Sequence, residues 1–110
     1  MITTHKMALP SEMLRLVNLC KTEMNASEVW LFGSRARGDF HENSDYDVLA
    51  VIPDDAPDNI DTPVAAFQLR RKSRAHADLL TARMSDFTEA RSTINTISYA
   101  VAQEGIRLDA

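Results

Sequence analysis

Two short motifs in the chain carry side chains that could bind a metal ion and a charged substrate. Gly33-Ser34 ends one apolar run, and Asp45-Tyr46-Asp47 opens another after ten intervening residues. Short apolar runs bounded by turn residues are typical of buried strands. Side chains at i and i+2 of a strand share a face, so Asp45 and Asp47 are predicted to lie side by side. Two carboxylates this close repel each other unless a cation lies between them, and their oxygens favour a hard divalent ion such as Mg²⁺.

The Gly33-Ser34 motif is suited to holding an anion. Glycine permits a sharp turn and the close approach of a ligand. From Ser34 onward a short helix is predicted, whose free N–H groups and hydroxyl would face the anion, and Arg35 and Arg37 add positive charge. A phosphate site beside a metal-binding carboxylate pair is what phosphoryl or nucleotidyl transfer requires, because that chemistry depends on positioning and charge neutralisation.

The compound pattern Gly-Ser, ten residues, Asp-x-Asp, with Ala36-Arg37-Gly38 inside it, resembles the signature of the DNA polymerase beta-type nucleotidyltransferase superfamily. The short chain resembles in particular the minimal nucleotidyltransferases, small prokaryotic proteins often paired with a HEPN-domain toxin. A lone Asp-x-Asp is more often a turn or cap pair, but the full pattern covers about a fifth of the chain. The resemblance implies a polymerase beta-like nucleotidyltransferase fold.

Asp78 is the third candidate ligand. It lies among apolar residues in a predicted strand from His76 to Ala82, where an isolated acid is costly to bury. That cost disappears if Asp78 faces Asp45 and Asp47 across the sheet and shares their metal ions. In the resembled family a third acidic residue on the next strand does this, and Asp78 matches its context. His76 shares a face with Asp78 but is more often a structural neighbour, so it is left out of the site.

The whole pattern predicts one α/β (α+β) domain over residues 1–110, a small mixed β-sheet with helices packed on it. Within it, residues 1–8 are predicted to form a flexible arm. The first two strands are predicted to be antiparallel, because the end of one must lie near the start of the next. The predicted elements are a helix over Leu9–Met24, strands Glu28–Phe32, Asp45–Ile52 and His76–Ala82, a helix over Thr62–Lys72, a helix after Ser85, a longer helix carrying Ile94, Ile97 and Val101, and a last strand Ile106–Leu108 at an edge.

Finer predictions concern caps, core positions and one basic cluster. Ser11 and Ser85 are expected to cap helices, and Gly105 to end one. Cys20 and Trp30 are expected in the core. In the helix over Thr62–Lys72, the residues expected to supply apolar contacts are Val64, Ala65 and Phe67–Leu69. A basic cluster closes this helix and consists of Arg70, Arg71, Lys72 and Arg74. Its positive charge would interact favourably with the helix C-terminus. The alternative is that the cluster contacts triphosphate or an acidic partner.

The charge, cysteine count and apolar runs of the chain exclude several classes of function. The net charge of −4 argues against broad, sequence-independent nucleic-acid binding, which needs a positive footprint. One cysteine cannot form an internal disulfide, so a cytoplasmic location is expected. No apolar run approaches the ~20 residues of a membrane span, and no signal peptide is evident. The three glycines form neither a G-x-G-x-x-G motif nor a Walker P-loop.

The predicted chemistry is Mg²⁺-dependent nucleotidyl transfer. Asp45, Asp47 and Asp78 are the expected catalytic residues and ligands of two Mg²⁺ ions. Gly33 and Ser34, with Arg35 or Arg37, are expected to hold the triphosphate. The resemblance implies ATP as the donor, the tyrosine hydroxyl of a HEPN toxin as the acceptor, and an antitoxin that associates with that toxin as a hetero-oligomer. Two alternatives remain: an antitoxin that neutralises its toxin by binding alone, and a nucleotidyltransferase acting on a small molecule such as an antibiotic.

Overall fold

The computed structural model describes residues 2–3 and 8–110, which form a mixed sheet with helices on both faces. In chain order the elements are β1 (Ile2–Thr3), α1 (Ser11–Glu23), β2 (Glu28–Phe32), α2 (Ser34–Arg37), β3 (Tyr46–Ile52), α3 (Pro63–Ser73), β4 (Ala77–Arg83), α4 (Met84–Ala90), α5 (Ile97–Glu104) and β5 (Ile106–Arg107). The strands lie in the spatial order β1-β5-β2-β3-β4. The predicted fold class is confirmed.

Strand direction brings the ends of three strands to one edge of the sheet. β2 runs antiparallel to β3, as predicted, with Phe32 opposite Asp47. β3 runs parallel to β4, with Asp47 opposite Asp78, and α3 makes the crossover that a parallel pair requires. The end of β2 therefore lies beside the starts of β3 and β4.

The two faces of the sheet are covered by different helices. Val48 and Ala50 of β3 pack into a core with residues of α1 and α3, including Leu16. Leu49 and Val51 pack on the opposite face, in a second core with residues of α4 and α5. Since side chains alternate along a strand, odd-numbered positions of β3 belong to the α4/α5 face.

Two predicted core residues lie in the core. Cys20 of α1 is fully buried, and burial raises the pKa of its thiol to about 12, so the thiol stays protonated at neutral pH. Trp30 of β2 is buried against Phe87, and its indole N–H donates to a Glu28 carboxylate oxygen at 2.8 Å. The buried thiol prediction and the core tryptophan prediction are both confirmed.

Both predicted serine caps are wrong. Ser11 is the first residue of α1 rather than its cap, and the preceding Pro10 offers no side-chain hydrogen bond. Ser85 lies inside α4, where its backbone N–H donates to the Asp54 carboxylate at 2.9 Å. A loop residue distant in sequence thus supplies the acceptor at the start of α4, which local sequence patterns do not reveal.

The buried stripe of α3 differs from the predicted one. Ala66, Leu69 and Ser73 are its buried residues, at a spacing that places them on one helix face. Leu69 is buried as predicted, whereas Val64 and Phe67 are 64% and 53% exposed and do not supply the apolar contacts predicted for them. Both lie off the buried stripe, so they remain outside the core.

The C-terminal part of the chain also departs from prediction. α5 begins after Thr96, whose hydroxyl accepts from the Tyr99 N–H at 3.0 Å. The helix carries Ile97 and Val101 as predicted, but Ile94 lies exposed in the preceding turn, so the predicted helix extended too far toward the N-terminus. Gly105 ends α5 as predicted. Glycine is needed at this position because a Cβ there would lie 2.4 Å from the Val101 carbonyl oxygen. β5 lies between β1 and β2, so its predicted edge position is wrong.

The flexible arm predicted over residues 1–8 falls mainly outside the described residues; within it, Ile2–Thr3 pair with β5 in parallel. No helix in the described ranges has the length and apolar character needed to cross a lipid bilayer.

Candidate active site

Two of the three predicted carboxylate residues meet at the edge where the strand ends converge. Asp47 and Asp78 are partners in the parallel register of β3 and β4, so their side chains lie next to each other on the α4/α5 face. Asp78 is exposed, because β4 is the outermost strand and Asp78 is near its start. The expectation that Asp78 is a buried acid in need of compensation is therefore wrong, although its proximity to Asp47 is as predicted.

Asp45 lies one residue before β3, which begins at Tyr46 rather than at the predicted Asp45. Strand alternation therefore does not fix the direction of the Asp45 side chain, which is exposed. Asp45 also lines a shallow pocket together with Arg35 and His76. It remains close enough to Asp47 for its charge to act on that carboxylate.

The electrostatics of Asp47 are unfavourable for its ionised form. Partial burial raises the pKa of Asp47, and the negative charges of Asp78 and Asp45 raise it further, while Arg37 acts in the opposite direction. Carboxylates that repel one another in a partly buried position are stabilised by a cation, and hard divalent ions prefer oxygen donors. The donor chemistry therefore fits Mg²⁺. Over residues 2–3 and 8–110, however, no three His, Cys, Asp or Glu side chains are grouped as a ready-made metal site.

Gly33 packs directly against the Asp47 carboxylate. Its backbone, with φ 75° and ψ −158°, lies in a region that side-chain-bearing residues rarely adopt. A Cβ at this position would lie 2.1 Å from Asp47 Oδ2. Glycine is thus required both by the turn and by the space that the carboxylate occupies. Ser34 follows as the half-buried first residue of α2, which confirms the short helix predicted there.

Glu104 is a residue of this site that sequence reasoning missed. Its Oε2 accepts a hydrogen bond from the Gly33 N–H at 2.6 Å and another from Arg37 Nη1 at 3.0 Å. The Glu104 carboxylate therefore accepts the hydrogen bond from the Gly33 N–H that was expected to bind a phosphate oxygen. No local signal marks Glu104, the last residue of α5, since only the packing of α5 beside the end of β2 brings it here.

Arg35 and Arg37 have different surroundings, although both were predicted to contact phosphate. The Arg35 guanidinium donates to the Ser44 carbonyl at 3.1 and 3.0 Å and lies 4.5 Å from the centre of the Tyr46 ring. Tyr46 points to the face opposite Asp47, so Arg35 holds the loop before β3 rather than lining the carboxylate site. Arg37 lies on the site's side, where its charge acts on Asp47.

Residues 14–99 match the family described as "Nucleotidyltransferase domain". No curated protein matches the chain in sequence.

Two solved structures resemble the fold. One is the crystal structure of a toxin–antitoxin with AMP-PNP, which is 23% identical, has a TM-score of 0.54, and aligns over 84% of this chain and 68% of its own. The other is a protein of Sulfolobus solfataricus assigned only provisionally as a nucleotidyltransferase, at 20% identity and a TM-score of 0.43 over 76% of this chain and 84% of its own. At this level of identity the first likeness establishes the fold alone.

Proposed function

Because this chain belongs to the nucleotidyltransferase domain family, we propose that it transfers a nucleoside monophosphate from a nucleoside triphosphate, ATP, to a hydroxyl group of a partner protein. The proposed acceptor is a tyrosine of a HEPN-family toxin, so that the chain acts as the antitoxin and associates with that toxin. The toxin–antitoxin with AMP-PNP, whose fold this chain shares, supports placing the proposal in this class.

The observation that carries the proposal is the register that aligns Asp47 with Asp78 beside Gly33. Asp47, with Asp78 beside it, lies against the backbone turn at Gly33, for which the sequence predicts phosphate binding. A structural pair of acids would be expected to have a cationic partner, yet the pKa of Asp47 is raised by burial and by neighbouring negative charge. Uncompensated acids at a strand edge are typical of a site that a cation and a phosphate complete.

Each residue then has a distinct role. Asp45, Asp47 and Asp78 would hold Mg²⁺, two ions in the proposal, which when bound supplies neutralisation of the triphosphate charge and activation of the acceptor oxygen. The Gly33 N–H, the Ser34 hydroxyl and the Arg37 guanidinium bind phosphate oxygens and orient the donor. Arg35 acts indirectly, by holding the loop that leads into Asp45.

The transfer itself is an in-line displacement. The acceptor oxygen forms a bond to the α-phosphorus, and the bond from that phosphorus to the bridging oxygen of pyrophosphate breaks. Asp78, exposed at the start of β4, takes the proton of the acceptor hydroxyl on a carboxylate oxygen. The products are pyrophosphate and a partner protein carrying one nucleoside monophosphate.

A second candidate function is neutralisation by binding alone. One observation favours it: the Gly33 N–H donates to the Glu104 carboxylate at 2.6 Å. This hydrogen bond engages the N–H group that a nucleotide phosphate would need. In this case the toxin would be inhibited by surface contact, and the acidic residues would be dispensable. The third alternative, transfer to a small molecule such as an antibiotic, has no specific contact in its favour.

The test is incorporation of α-labelled ATP into a co-purified HEPN toxin. Asp45→Asn and Asp47→Asn are expected to lower label transfer by about 10²–10³-fold or more, because each removes a charge on which the reacting phosphates depend. Asp55→Asn is the matched control, since Asp55 is an exposed loop acid remote from the motif. Undiminished transfer by Asp47→Asn, with the fold intact by circular dichroism, would refute the assignment.

A cell-protection assay separates the two main candidates. If transfer neutralises the toxin, cells expressing the Asp47→Asn variant lose protection although the variant still binds the toxin. If binding alone suffices, the same variant protects as well as the wild-type protein. An antibiotic-resistance assay addresses the small-molecule alternative in the same strains.

A further inference from the structure

The free edge of β4 is covered over only half of its length. Within the described ranges β4 pairs with β3 alone, so its other side has no strand neighbour. Toward its C-terminal end the loop before α3 lies against it: Thr81 Oγ1 donates to Asp61 at 2.8 Å and Arg83 pairs with Asp58 at 2.9 Å. Among the described residues, no such contact covers the edge of the N-terminal half, residues 77–80, which contains Asp78. An uncovered strand edge is a template for pairing with another extended chain.

A groove with an apolar wall runs beside this uncovered half. It lies between α3 and the β4 edge, has a volume of about 880 Å³, and is lined by Val64, Phe67, Asp78 and Leu80. Val64 and Phe67 are 64% and 53% exposed and stand three residues apart on one helix face. Single exposed apolar residues need no explanation, but two that line the same groove beside an open strand edge are typical of a docking surface.

The charge of the groove indicates what it would hold. Arg70 and Arg71 line its end nearest the start of β4, and the Arg70 guanidinium lies 5.2 Å from the centre of the Phe67 ring. The neighbouring Lys72 is paired with Glu23, whereas Arg71 has no ion pair within the described part of the chain. The chain as a whole carries a net charge of −4, so this local basic end stands out and favours an acidic ligand.

We propose that this groove docks the acceptor-bearing segment of the partner protein, as an extended, acidic stretch that adds alongside residues 77–80 of β4. One apolar side chain of the segment packs on Phe67, its acidic residues face Arg70 and Arg71, and its hydroxyl comes to lie beside Asp78. The inference rests on the proposed function for the role of that hydroxyl, but the docking itself does not require transfer. It assigns the exposed face of α3 to substrate recognition.

Binding is tested first without nucleotide or metal. The probes are two fluorescein-labelled ten-residue peptides that share a central tyrosine flanked by valine and differ only in carrying four glutamates or four lysines. Fluorescence anisotropy is expected to show the acidic peptide binding at least tenfold tighter than the basic one. Phe67→Ser and Arg71→Glu should each weaken it about tenfold, and Arg71→Glu should in turn gain affinity for the lysine peptide.

Leu14→Ser is the matched control, because Leu14 is also a large exposed residue, at 57%, but lies on α1 outside the groove. Acidic-peptide binding within twofold of wild type is expected for it. Equal binding of the two peptides, or equal effects of Phe67→Ser and Leu14→Ser, would overturn the proposal. So would light scattering that shows a dimer of this chain which Phe67→Ser converts to a monomer, since the groove would then be a contact between copies.

The docking proposal and the proposed function can fail separately. If the Asp47→Asn variant and the wild-type protein both bind the acidic peptide but neither variant nor wild type labels the toxin, docking stands and transfer is wrong. If wild type labels the toxin and Phe67→Ser leaves the KM for the toxin unchanged, transfer stands and docking is wrong. Only if both proposals hold does Phe67→Ser raise that KM about tenfold while Leu14→Ser leaves it unchanged.

Discussion

Two carboxylates at opposite ends of β2 differ in how the fold treats their charge. Asp109 lies beside the start of β2, with its side chain only 3% exposed, and accepts hydrogen bonds from the Val29 N–H at 3.0 Å, from Lys21 Nζ at 3.0 Å and from Arg107. Asp47 lies beside the end of β2, next to other acids. One charge is satisfied by hydrogen bonds within the chain, whereas the other lies among like charges.

The directions of the two pKa shifts express this difference. Burial acts to raise the pKa of Asp109, but hydrogen bonds from Arg107, Val29 and Lys21 outweigh it and leave that pKa lowered. For Asp47, burial and neighbouring acids both raise the pKa, and Arg37 does not offset them. A paired acid stabilises the fold, whereas an acid among like charges destabilises it until something binds.

Removing the satisfied charge is expected to have the largest effect on stability. Asp109→Asn would remove the carboxylate that Lys21 and Arg107 share at the junction of α1, β2 and β5. We expect a loss of about 2–3 kcal/mol in the free energy of unfolding, measured by urea denaturation at pH 7. Asp55→Asn should stay within about 0.5 kcal/mol. A change of that small size for Asp109→Asn would mean that the pairing contributes little.

The stability that Asp109 provides should depend on pH with a definite sign. Since its folded-state pKa lies below the unfolded value of about 3.9, its contribution is complete above that value and is lost as pH falls through the folded-state pKa. Urea denaturation from pH 7 to pH 2 should show the wild-type advantage over Asp109→Asn constant above about pH 5 and shrinking at lower pH. An advantage that grows on acidification would contradict the lowered pKa.

Glu104 is a second acid near Asp47, and its carboxylate would compete with a nucleotide phosphate for the Gly33 N–H and for Arg37. Glu104→Gln keeps the shape but removes the charge, so it holds the Gly33 N–H and Arg37 less strongly. We expect AMP-PNP to bind this variant about 3–10-fold tighter by calorimetry, since the phosphate displaces a weaker competitor. Glu89→Gln, an exposed position on α4, is the control. Weaker binding by Glu104→Gln would show that the carboxylate organises the site rather than competing with the nucleotide.

Asp47→Asn, which removes the unsatisfied charge, is expected to have the smallest effect on the free energy of unfolding. Unlike Asp109→Asn, it should raise that free energy. Asp47 has a raised pKa, so its protonated form is tolerated and stability is lost as pH rises through its folded-state pKa. In metal-free buffer at pH 7, Asp47→Asn is expected to raise stability by about 0.5 kcal/mol, a shift of about 2–4 °C in Tm. At pH 3 the two proteins should melt together. A lower Tm for Asp47→Asn at pH 7 would show that the carboxylate is satisfied after all.

Much of the fold and part of the site follow from sequence. The antiparallel strands, the short helix at Ser34 and the buried face of α1 arise from local apolar spacing and turn residues, which act within a few positions. Asp78 was placed with Asp47 mainly by the resemblance to a family with a third acid on the next strand, and the parallel register of β3 and β4 aligns the two residues. Gly33 was singled out for its turn, and the structure adds the packing of the Asp47 carboxylate against it.

What sequence could not predict depends on contacts between distant segments. Glu104 reaches Gly33 only because α5 packs beside β2, and Asp54 reaches the start of α4 only because the loop after β3 folds back. Arg35 was expected at the phosphate, yet the rings of Phe40 and Tyr46 and the Ser44 carbonyl draw it to the other face. Phe67 was expected to supply apolar contacts, yet it is 53% exposed and lies off the buried stripe of α3.

The most direct test of this account is the affinity of the protein for a divalent cation, measured with Mn²⁺ as a paramagnetic substitute for Mg²⁺. Free Mn²⁺ is followed by electron paramagnetic resonance in titrations of wild type, Asp47→Asn, Asp78→Asn and the control Asp55→Asn. Asp47→Asn and Asp78→Asn are each expected to weaken Mn²⁺ binding about tenfold or more, while Asp55→Asn leaves it unchanged. Equal Mn²⁺ affinity in all four proteins would contradict it, because the acids at the end of β2 would then hold no cation.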